Sequence, residues 1–301
     1  MRKILVTGAS GFFGQALLKS LLKTDYDFEC LAIYNTKKPD LVDRRITWFQ
    51  VNLLDKENTQ EFLRKLKPTH CVHLAWHVPP QKFWTATENI DWLHASINLF
   101  QAFCQNEGQV FLGAGSFAEY DWTSGVLDEI ETPLEPATLY GQCKKSLHDI
   151  IKKVRDAYYS DVTILWPRIG YFFGPGEPKE KLIPMLMENI RGQKETNLAL
   201  PEFSRPYTHI KYWGEVITKL LFSDIKGDLA FNMSAKKNYK LKEIVQFIQN
   251  KCPDNSSEIN YGAYPSTPIS LFVKTNPIVE IPDTFFDDLE KTWKDCNAKN
   301  R

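Results

Sequence analysis

The stretch Val6-Thr7-Gly8-Ala9-Ser10-Gly11-Phe12-Phe13-Gly14 continues the apolar run Ile4-Leu5-Val6 and leads into a helical pattern. Strand, glycine turn and helix N-terminus in that order bring backbone N–H groups and the positive end of a helix dipole to one point. A pyrophosphate suits such a point, and glycine is needed wherever a Cβ would bar its close approach. Gly-rich turns also arise for purely structural reasons. The place of this one, straight after the first strand, favours the dinucleotide reading.

Outward from the turn, strand-like and helix-like patterns alternate. Strands are expected at residues 3–7, 29–34, 46–51, 70–75, 109–114 and 162–167, with helices near 12–23, 56–66, 88–105 and 140–158. That rhythm specifies an α/β fold of the Rossmann type, a doubly wound parallel sheet. After Pro167 it breaks into glycine and proline turns. Helices are then expected near 181–191, 212–223, 241–250 and 284–295, with short strands near 197–200 and 228–233. The organisation expected is a dinucleotide-binding domain over 1–167, joined by the helix near 212–223, and a smaller, discontinuous C-terminal substrate-binding lobe over most of 168–301. The polar stretch Pro253 to Glu258 reads as a surface loop.

Composition sets limits. With 301 residues, 43% of them hydrophobic, the chain can bury a sizeable core. Lys plus Arg equals Asp plus Glu at 37 each, so no overall charge points to nucleic acid or to an anionic membrane, and any anion must be held locally. No apolar run approaches the roughly 20 residues of a membrane span, and the short N-terminal apolar run ends in glycines rather than forming a signal peptide; the cytoplasm is the expected location. Six cysteines lie scattered without a Cys-x-x-Cys pair, as reduced thiols do. His70, His73 and His77 suggest a metal cluster on paper, but residues 70 and 73 of one strand face opposite sides, so no metal is expected.

A second constellation is Tyr140-Gly141-Gln142-Cys143-Lys144, with Ser116 ahead of it at the end of the apolar run Val110-Phe111-Leu112. Tyr140 and Lys144 stand four apart at the start of a helical pattern and so share a face. A phenol, with a reference pKa of about 10, is a poor proton donor and acceptor near neutrality, and a neighbouring ammonium favours its ionised form. Ser116 adds a hydroxyl for the same carbonyl or carbinol oxygen. Alone, Tyr-x-x-x-Lys is common on surface helices; with a strand-end Ser and the glycine turn it points to hydride and proton chemistry.

With these motifs the chain resembles the extended short-chain dehydrogenase/reductase family, the nucleotide-sugar epimerases, dehydratases and reductases. Thr7 to Gly14 matches the family's cofactor turn, His73-Leu74-Ala75 its fourth-strand motif, Ser116 its hydroxyl residue, and Tyr140 with Lys144 its catalytic pair. Arg168 through Gly174-Pro175-Gly176 and Arg205-Pro206-Tyr207-Thr208-His209-Ile210 are similar to two further family segments. The resemblance implies catalytic Ser116, Tyr140 and Lys144. It implies a cofactor held by Gly8, Ser10, Gly11, Phe12, Phe13, Gly14, Asn52, Leu53, Leu74 and Ala75, together with Tyr140 and Lys144. Asn52 stands where the family commonly has an Asp facing the adenine.

At the end of the second strand an NAD-specific fold usually places an acid for the ribose 2′-hydroxyl, whereas a 2′-phosphate needs cations and small polar groups. Here stand Asn35, Thr36, Lys37 and Lys38. The expected cofactor is therefore NADPH, with NAD(H) less favoured; solvated surface lysines are the bland alternative.

Among reactions of the family, dehydratases carry Asp-Glu directly after the residue matching Ser116, and here Phe117 and Ala118 take those places. The resemblance thus favours a 4-ketoreductase acting on a nucleotide-diphosphate 4-keto-6-deoxy sugar, hexose or heptose. The alternatives are an NAD-dependent epimerase, a bifunctional epimerase-reductase, or a dinucleotide-sensing protein without catalysis. For the substrate, the resemblance offers Arg205 as a diphosphate ligand and Lys181 as a second cation, surface salt bridges being the alternative for both. Tyr171 replaces the family's Asn before the Gly-Pro-Gly turn. Trp76, in the aromatic loop with Phe83 and Trp84, stands as a wall of the sugar pocket or as packing; Glu119 stands near the substrate or as a cap of its loop. The helices near 88–105 and 140–158 resemble a pair that forms a dimer's four-helix bundle, which implies a homodimer.

Overall fold

A computed structural model of the chain describes residues 1–80, 82–198, 200–252, 257–262 and 270–298. It divides into two compact units. One comprises residues 1–120, 133–169 and 213–231; the other comprises residues 121–132, 170–212 and 232–301.

The first unit is built on an eight-stranded sheet. Ile46–Gln50, Phe28–Tyr34, Arg2–Thr7, His70–His73, Val110–Gly113, Thr163–Ile169 and Asp228–Met233 follow one another across it, and Gly115–Ser116 pairs with Thr163–Ile169. The pairings from Ile46–Gln50 through to Thr163–Ile169 are parallel. Parallel strands are covered by helices on both faces, which is why Ile4, Leu5 and Val6, and likewise Cys30, Leu31 and Ala32, are consecutive apolar residues and all buried. The chain runs outward from Arg2–Thr7 to two strands on one side and returns to its other side with His70–His73. The carboxyl ends of Arg2–Thr7 and His70–His73 therefore flank the topological switch point, where this class of sheet leaves its ligand crevice.

Helix ends follow local chemistry. Lys56–Leu66 starts at Asp55, whose carboxylate accepts the Asn58 N–H at 3.0 Å, and stops at Lys67 in the left-handed conformation. Leu139–Tyr158 starts at Thr138, whose hydroxyl accepts the Gly141 N–H at 3.1 Å. In Ile210–Leu221, Gly214 lies against the helix Phe12–Leu21: a Cβ there would stand 2.7 Å from the Ala16 carbonyl oxygen.

Two strand expectations need correction. The fourth strand ends at His73, not at residue 75: the Leu74 N–H is shared between the Thr7 carbonyl and the Thr7 hydroxyl, both at 3.2 Å, and the Ala75 N–H turns to that hydroxyl at 3.3 Å. The strand expected to stop at Pro167 continues to Ile169, since Arg168 and Ile169 pair with Gly115 and Ser116.

The second unit has no large sheet among its described residues. Its strands form two-stranded ladders: Thr196–Leu198 with Ile259–Tyr261, Ser204–Arg205 with Tyr239–Lys240, Tyr207–His209 with Tyr171–Phe173, and Phe272–Val273 with Val126–Leu127. Helices Leu182–Arg191, Leu241–Gln249 and Phe285–Ala298 surround its core of Phe173, Leu186, Ile244, Val245 and Leu289. Of the expected surface loop Pro253 to Glu258, residues 253–256 lie outside the described residues.

Candidate active site

The glycine turn is fixed by what surrounds it. Gly8 has φ +66°, and a Cβ on it would lie 2.8 Å from the Ala75 backbone nitrogen and 2.9 Å from the Leu74 carbonyl carbon. A Cβ on Gly14 would lie 2.4 Å from the Gly8 carbonyl oxygen. Both glycines let the first turn, the helix behind it and the turn after His73 close on one another. The tip, Ser10 and Gly11, is exposed. Gly11 is the N-cap of Phe12–Leu21 and places no side chain over the first helical N–H groups, and no acid stands in the first turn. An uncapped, accessible helix N-terminus of this kind fits a pyrophosphate. Phe12 and Phe13 lie on the helix itself, and Phe13 packs edge-on against Trp213 at 5.1 Å.

Beneath the turn runs a chain of buried hydrogen bonds. The Ser96 hydroxyl donates to the Trp92 carbonyl at 2.6 Å, so it accepts from His73 Nε2 at 2.8 Å. His73 Nδ1 then accepts from the Thr7 hydroxyl at 2.8 Å, and Thr7 Oγ1 accepts from Leu74 and Ala75. Every member has one role, and all require a neutral His73; burial, with the nearby Lys144 charge, pushes its pKa down to about 3. The other two histidines look elsewhere: His70 Nδ1 meets the Thr69 hydroxyl at 2.9 Å, and His77 faces Glu88 at 4.0 Å.

The remaining residues expected at the cofactor lie at the carboxyl ends of neighbouring strands. Asn35, Lys37 and Lys38 are exposed just past Phe28–Tyr34. Asn52 is exposed past Ile46–Gln50, its Oδ1 accepting the Leu54 N–H at 3.1 Å, and Leu53 is buried.

Ser116 ends the short strand that pairs with Ile169 and caps the turn Phe117–Glu119, its hydroxyl accepting the Ala118 N–H at 3.1 Å. Gly141 brings the helix Leu139–Tyr158 onto that turn: a Cβ on it would stand 2.1 Å from the Ala118 carbonyl oxygen. Tyr140 and Lys144 thereby arrive beside Ser116. Burial pushes the Tyr140 phenol up to about 12, a hydrogen bond with Ser116 pulls it down, and the Glu119 charge adds to the rise. The ammonium expected to depress this phenol is not among the causes acting on it. Lys144 is itself 4% exposed, and burial carries its pKa down to about 7, against the upward pull of Glu119 and Cys143.

Around Tyr140 the loop after His73 forms an aromatic box. The rings of Phe83, Trp84 and Trp76 stand edge-on to it, with centroids at 4.9, 5.9 and 6.4 Å. The face of Trp76, expected to wall a sugar, carries the Lys144 ammonium at 3.6 Å. Glu119 caps its loop, the second of its two expected readings. Fully buried, it accepts from the Ser116 N–H at 2.7 Å, from Trp166 Nε1 at 3.1 Å and from Arg168 Nε at 3.1 Å. Phe117 and Ala118, beside Ser116, are buried as well.

In the second unit the ladder between Tyr171–Phe173 and Tyr207–His209 brings Tyr171 and Arg205 together, Arg205 Nε donating to the Tyr171 hydroxyl at 3.1 Å. The Arg205 guanidinium is buried over the Phe203 ring at 3.6 Å and donates to the Ser204 carbonyl. Lys181 is exposed at the N-cap of Leu182–Arg191.

Sequence reasoning missed Ser96 and Asn89, both fully buried. The signal was present: they are two polar residues seven apart, on one face of the helix Glu88–Gln105 that also carries apolar Leu99, Phe100 and Phe103 into the core.

A family model described as the NAD dependent epimerase/dehydratase family matches residues 4–231. CDP-abequose synthase from Salmonella muenchen is 21% identical over 268 residues, 87% of this chain and 84% of that protein. Methionine adenosyltransferase 2 subunit beta from Danio rerio is 27% identical over 202 residues, 65% of this chain and 56% of its own. Among solved structures, UDP-glucuronic acid 4-epimerase from Bacillus cereus, in complex with UDP-glucuronic acid and NAD, superposes with a TM-score of 0.83 at 18% identity, over 98% of this chain and 99% of that one; this is a likeness of fold.

Proposed function

This chain belongs to the NAD dependent epimerase/dehydratase family, and from that premise we propose that it is an NADPH-dependent reductase of the 4-keto group of a nucleotide-diphosphate 4-keto-6-deoxy sugar. The observation that carries the reading is the pairing of a protonated Tyr140 with Ser116 beside positions 117 and 118 that hold no acid or base. Burial pushes the Tyr140 phenol up to about 12, so it stands protonated through the neutral range and holds a proton for a substrate oxygen as negative charge develops there. Ketone reduction asks for the proton to be given.

The cofactor is assigned to the turn Gly8–Gly14, to Leu74, Ala75, Asn52 and Leu53, and at its 2′-phosphate to Asn35, Lys37 and Lys38. Bound there, the reduced dinucleotide supplies the hydride. Tyr140 transfers its hydroxyl proton to the substrate oxygen. The Ser116 hydroxyl holds that oxygen and stabilises charge developing on it. Lys144, in its charged form, steadies the phenolate left behind. Arg205, with Tyr171, and Lys181 are assigned to the diphosphate, and a homodimer through the helices Glu88–Gln105 and Leu139–Tyr158 accords with Ile90 and Ile150 being exposed on them.

Tyr140→Phe tests the assignment: turnover of NADPH with a 4-keto sugar is expected to fall at least about 100-fold, while the Kd for NADPH stays within about twofold. Unchanged turnover would remove Tyr140 from the chemistry. A second reading, a dinucleotide-binding subunit without turnover, draws on the likeness to the methionine adenosyltransferase subunit. NADPH binding that no 4-keto sugar converts into oxidation would favour it.

A further inference from the structure

The Lys144 ammonium lies in a pocket with little to hold a charge. Among the described residues it makes no salt bridge. The titratable groups acting on it from neighbouring elements are few. Glu119, on the turn after Ser116, has its carboxylate engaged by Ser116, Trp166 and Arg168. His73, on the fourth strand, is neutral. Tyr140 and Cys143 lie on its own helix, both with pKa values raised by burial.

What the ammonium does meet is a ring. Its Nζ sits 3.6 Å from the centroid of Trp76 and 5.8 Å from that of Tyr140. Contact at 3.6 Å over an indole, out of water, is the strong form of a cation–π interaction. The indole is itself pinned: Trp76 Nε1 donates to Asn89 Oδ1 at 2.7 Å, and the Asn89 amide donates to the Phe83 and Ala86 carbonyls at 2.7 and 2.8 Å. The same indole meets Tyr140 edge-on, so one ring touches both members of the pair. Asn89 also ties the loop carrying Phe83 and Trp84 to the helix Glu88–Gln105.

We infer that Trp76 is a positioning residue: its indole face, oriented by Asn89, holds Lys144 in its charged form beside Tyr140 where no carboxylate does so by contact. The inference concerns the lysine's charge and place, and it rests on the proposed role of Lys144 for its bearing on catalysis.

The test changes the ring's electrons without changing its shape. Fluorotryptophans of increasing fluorine content are placed at position 76, and the Lys144 titration is followed by NMR of lysine carbon-labelled at Cε, with no cofactor or substrate present. The Lys144 signal is the one missing from Lys144→Met. Each added fluorine weakens the ring's attraction for a cation, so the midpoint is expected to fall stepwise, by about one pH unit across the series. A midpoint indifferent to fluorination would overturn the proposal, because a ring that merely fills space does not respond to its electron density. In turnover assays Trp76→Leu is expected to lower kcat about tenfold or more, and Trp76→Phe, which keeps a π face, to recover most of it; equal loss in the two variants would count against it. A midpoint that follows fluorination in a protein without ketoreductase activity would uphold the Trp76–Lys144 contact and reject the proposed function, so the two fail separately.

Discussion

The two units hold their strands in different ways. In the first, parallel strands share one eight-stranded sheet, and the polar groups buried next to the glycine turn and Ser116 form closed networks: Trp92, Ser96, His73 and Thr7 in one, Ser116, Glu119, Trp166 and Arg168 in the other. In the second, strands of two or three residues pair two at a time, and buried polar atoms such as Glu177 Oε2 and both side-chain polar atoms of Asn238 have no hydrogen-bond partner among the described residues. A closed network fixes geometry to a few tenths of an ångström, whereas short ladders with unsatisfied groups leave room for adjustment. The contrast separates a part of the chain whose polar geometry is closed by its own hydrogen bonds from one held by short ladders.

If the contrast holds, substitutions in the buried networks of the first unit act through geometry and are severe. Glu119→Gln is expected to cost the most, about 3–5 kcal/mol of unfolding free energy, because Arg168 is left as an uncompensated buried charge; denaturant melts check this, and a loss under about 1 kcal/mol would break the comparison. Gly141→Ala comes next. Its methyl would press on the Ala118 carbonyl, costing about 1–3 kcal/mol, and by shifting Tyr140 away from Ser116 it is expected to lower kcat about 100-fold.

In the second unit the expected effect is smaller and depends on pH. Burial holds the Glu177 carboxyl at about 8, with Lys181 pulling it down. An acid whose folded pKa lies above its unfolded value contributes no penalty below the unfolded value, and its penalty grows as pH rises toward the folded one. Glu177→Gln is therefore expected to be neutral near pH 4 and stabilising by upward of about 1 kcal/mol at pH 8. Thermal melts across that window check the sign; stabilisation that fades with rising pH would contradict it. The mildest change expected is on the exposed surface of the first unit, outside its buried networks: Lys37→Ala should raise KM for NADPH several-fold, by the loss of one exposed charge pair of about 1 kcal/mol, with no effect on KM for NADH or on stability.

The same contrast governs what could be read in the sequence. Residues near 56–66 and 88–105 were legible as helices because periodicity is local. The parallel strands were legible because burial on both faces leaves consecutive apolar residues. Their ends were not: Leu74 shares its N–H between the Thr7 carbonyl and hydroxyl and Ala75 turns to that hydroxyl, while Arg168 and Ile169 stay in the sheet past Pro167, both by pairings distant in sequence. Ladders as short as Ser204–Arg205 carry no period to detect. At the candidate site, Ser116, Tyr140 and Lys144 were recognisable from type and spacing. That Lys144 rests on Trp76 and not on a carboxylate was hidden, since the contact joins a loop and a helix far apart in the chain.

Ketone reduction is tested most directly by the fate of the hydride. The protein is to be incubated with NADPH carrying deuterium at the transferred position and a panel of nucleotide-linked 4-keto-6-deoxy sugars, with loss of reduced nicotinamide followed by absorbance and the product by mass and NMR. The expected result is one equivalent of NADPH consumed per sugar, deuterium at C4 of the product, and neither in Tyr140→Phe. Interconversion of nucleotide sugars with no net consumption of NADPH and no deuterium at C4 would contradict the reductase reading and make the protein an epimerase.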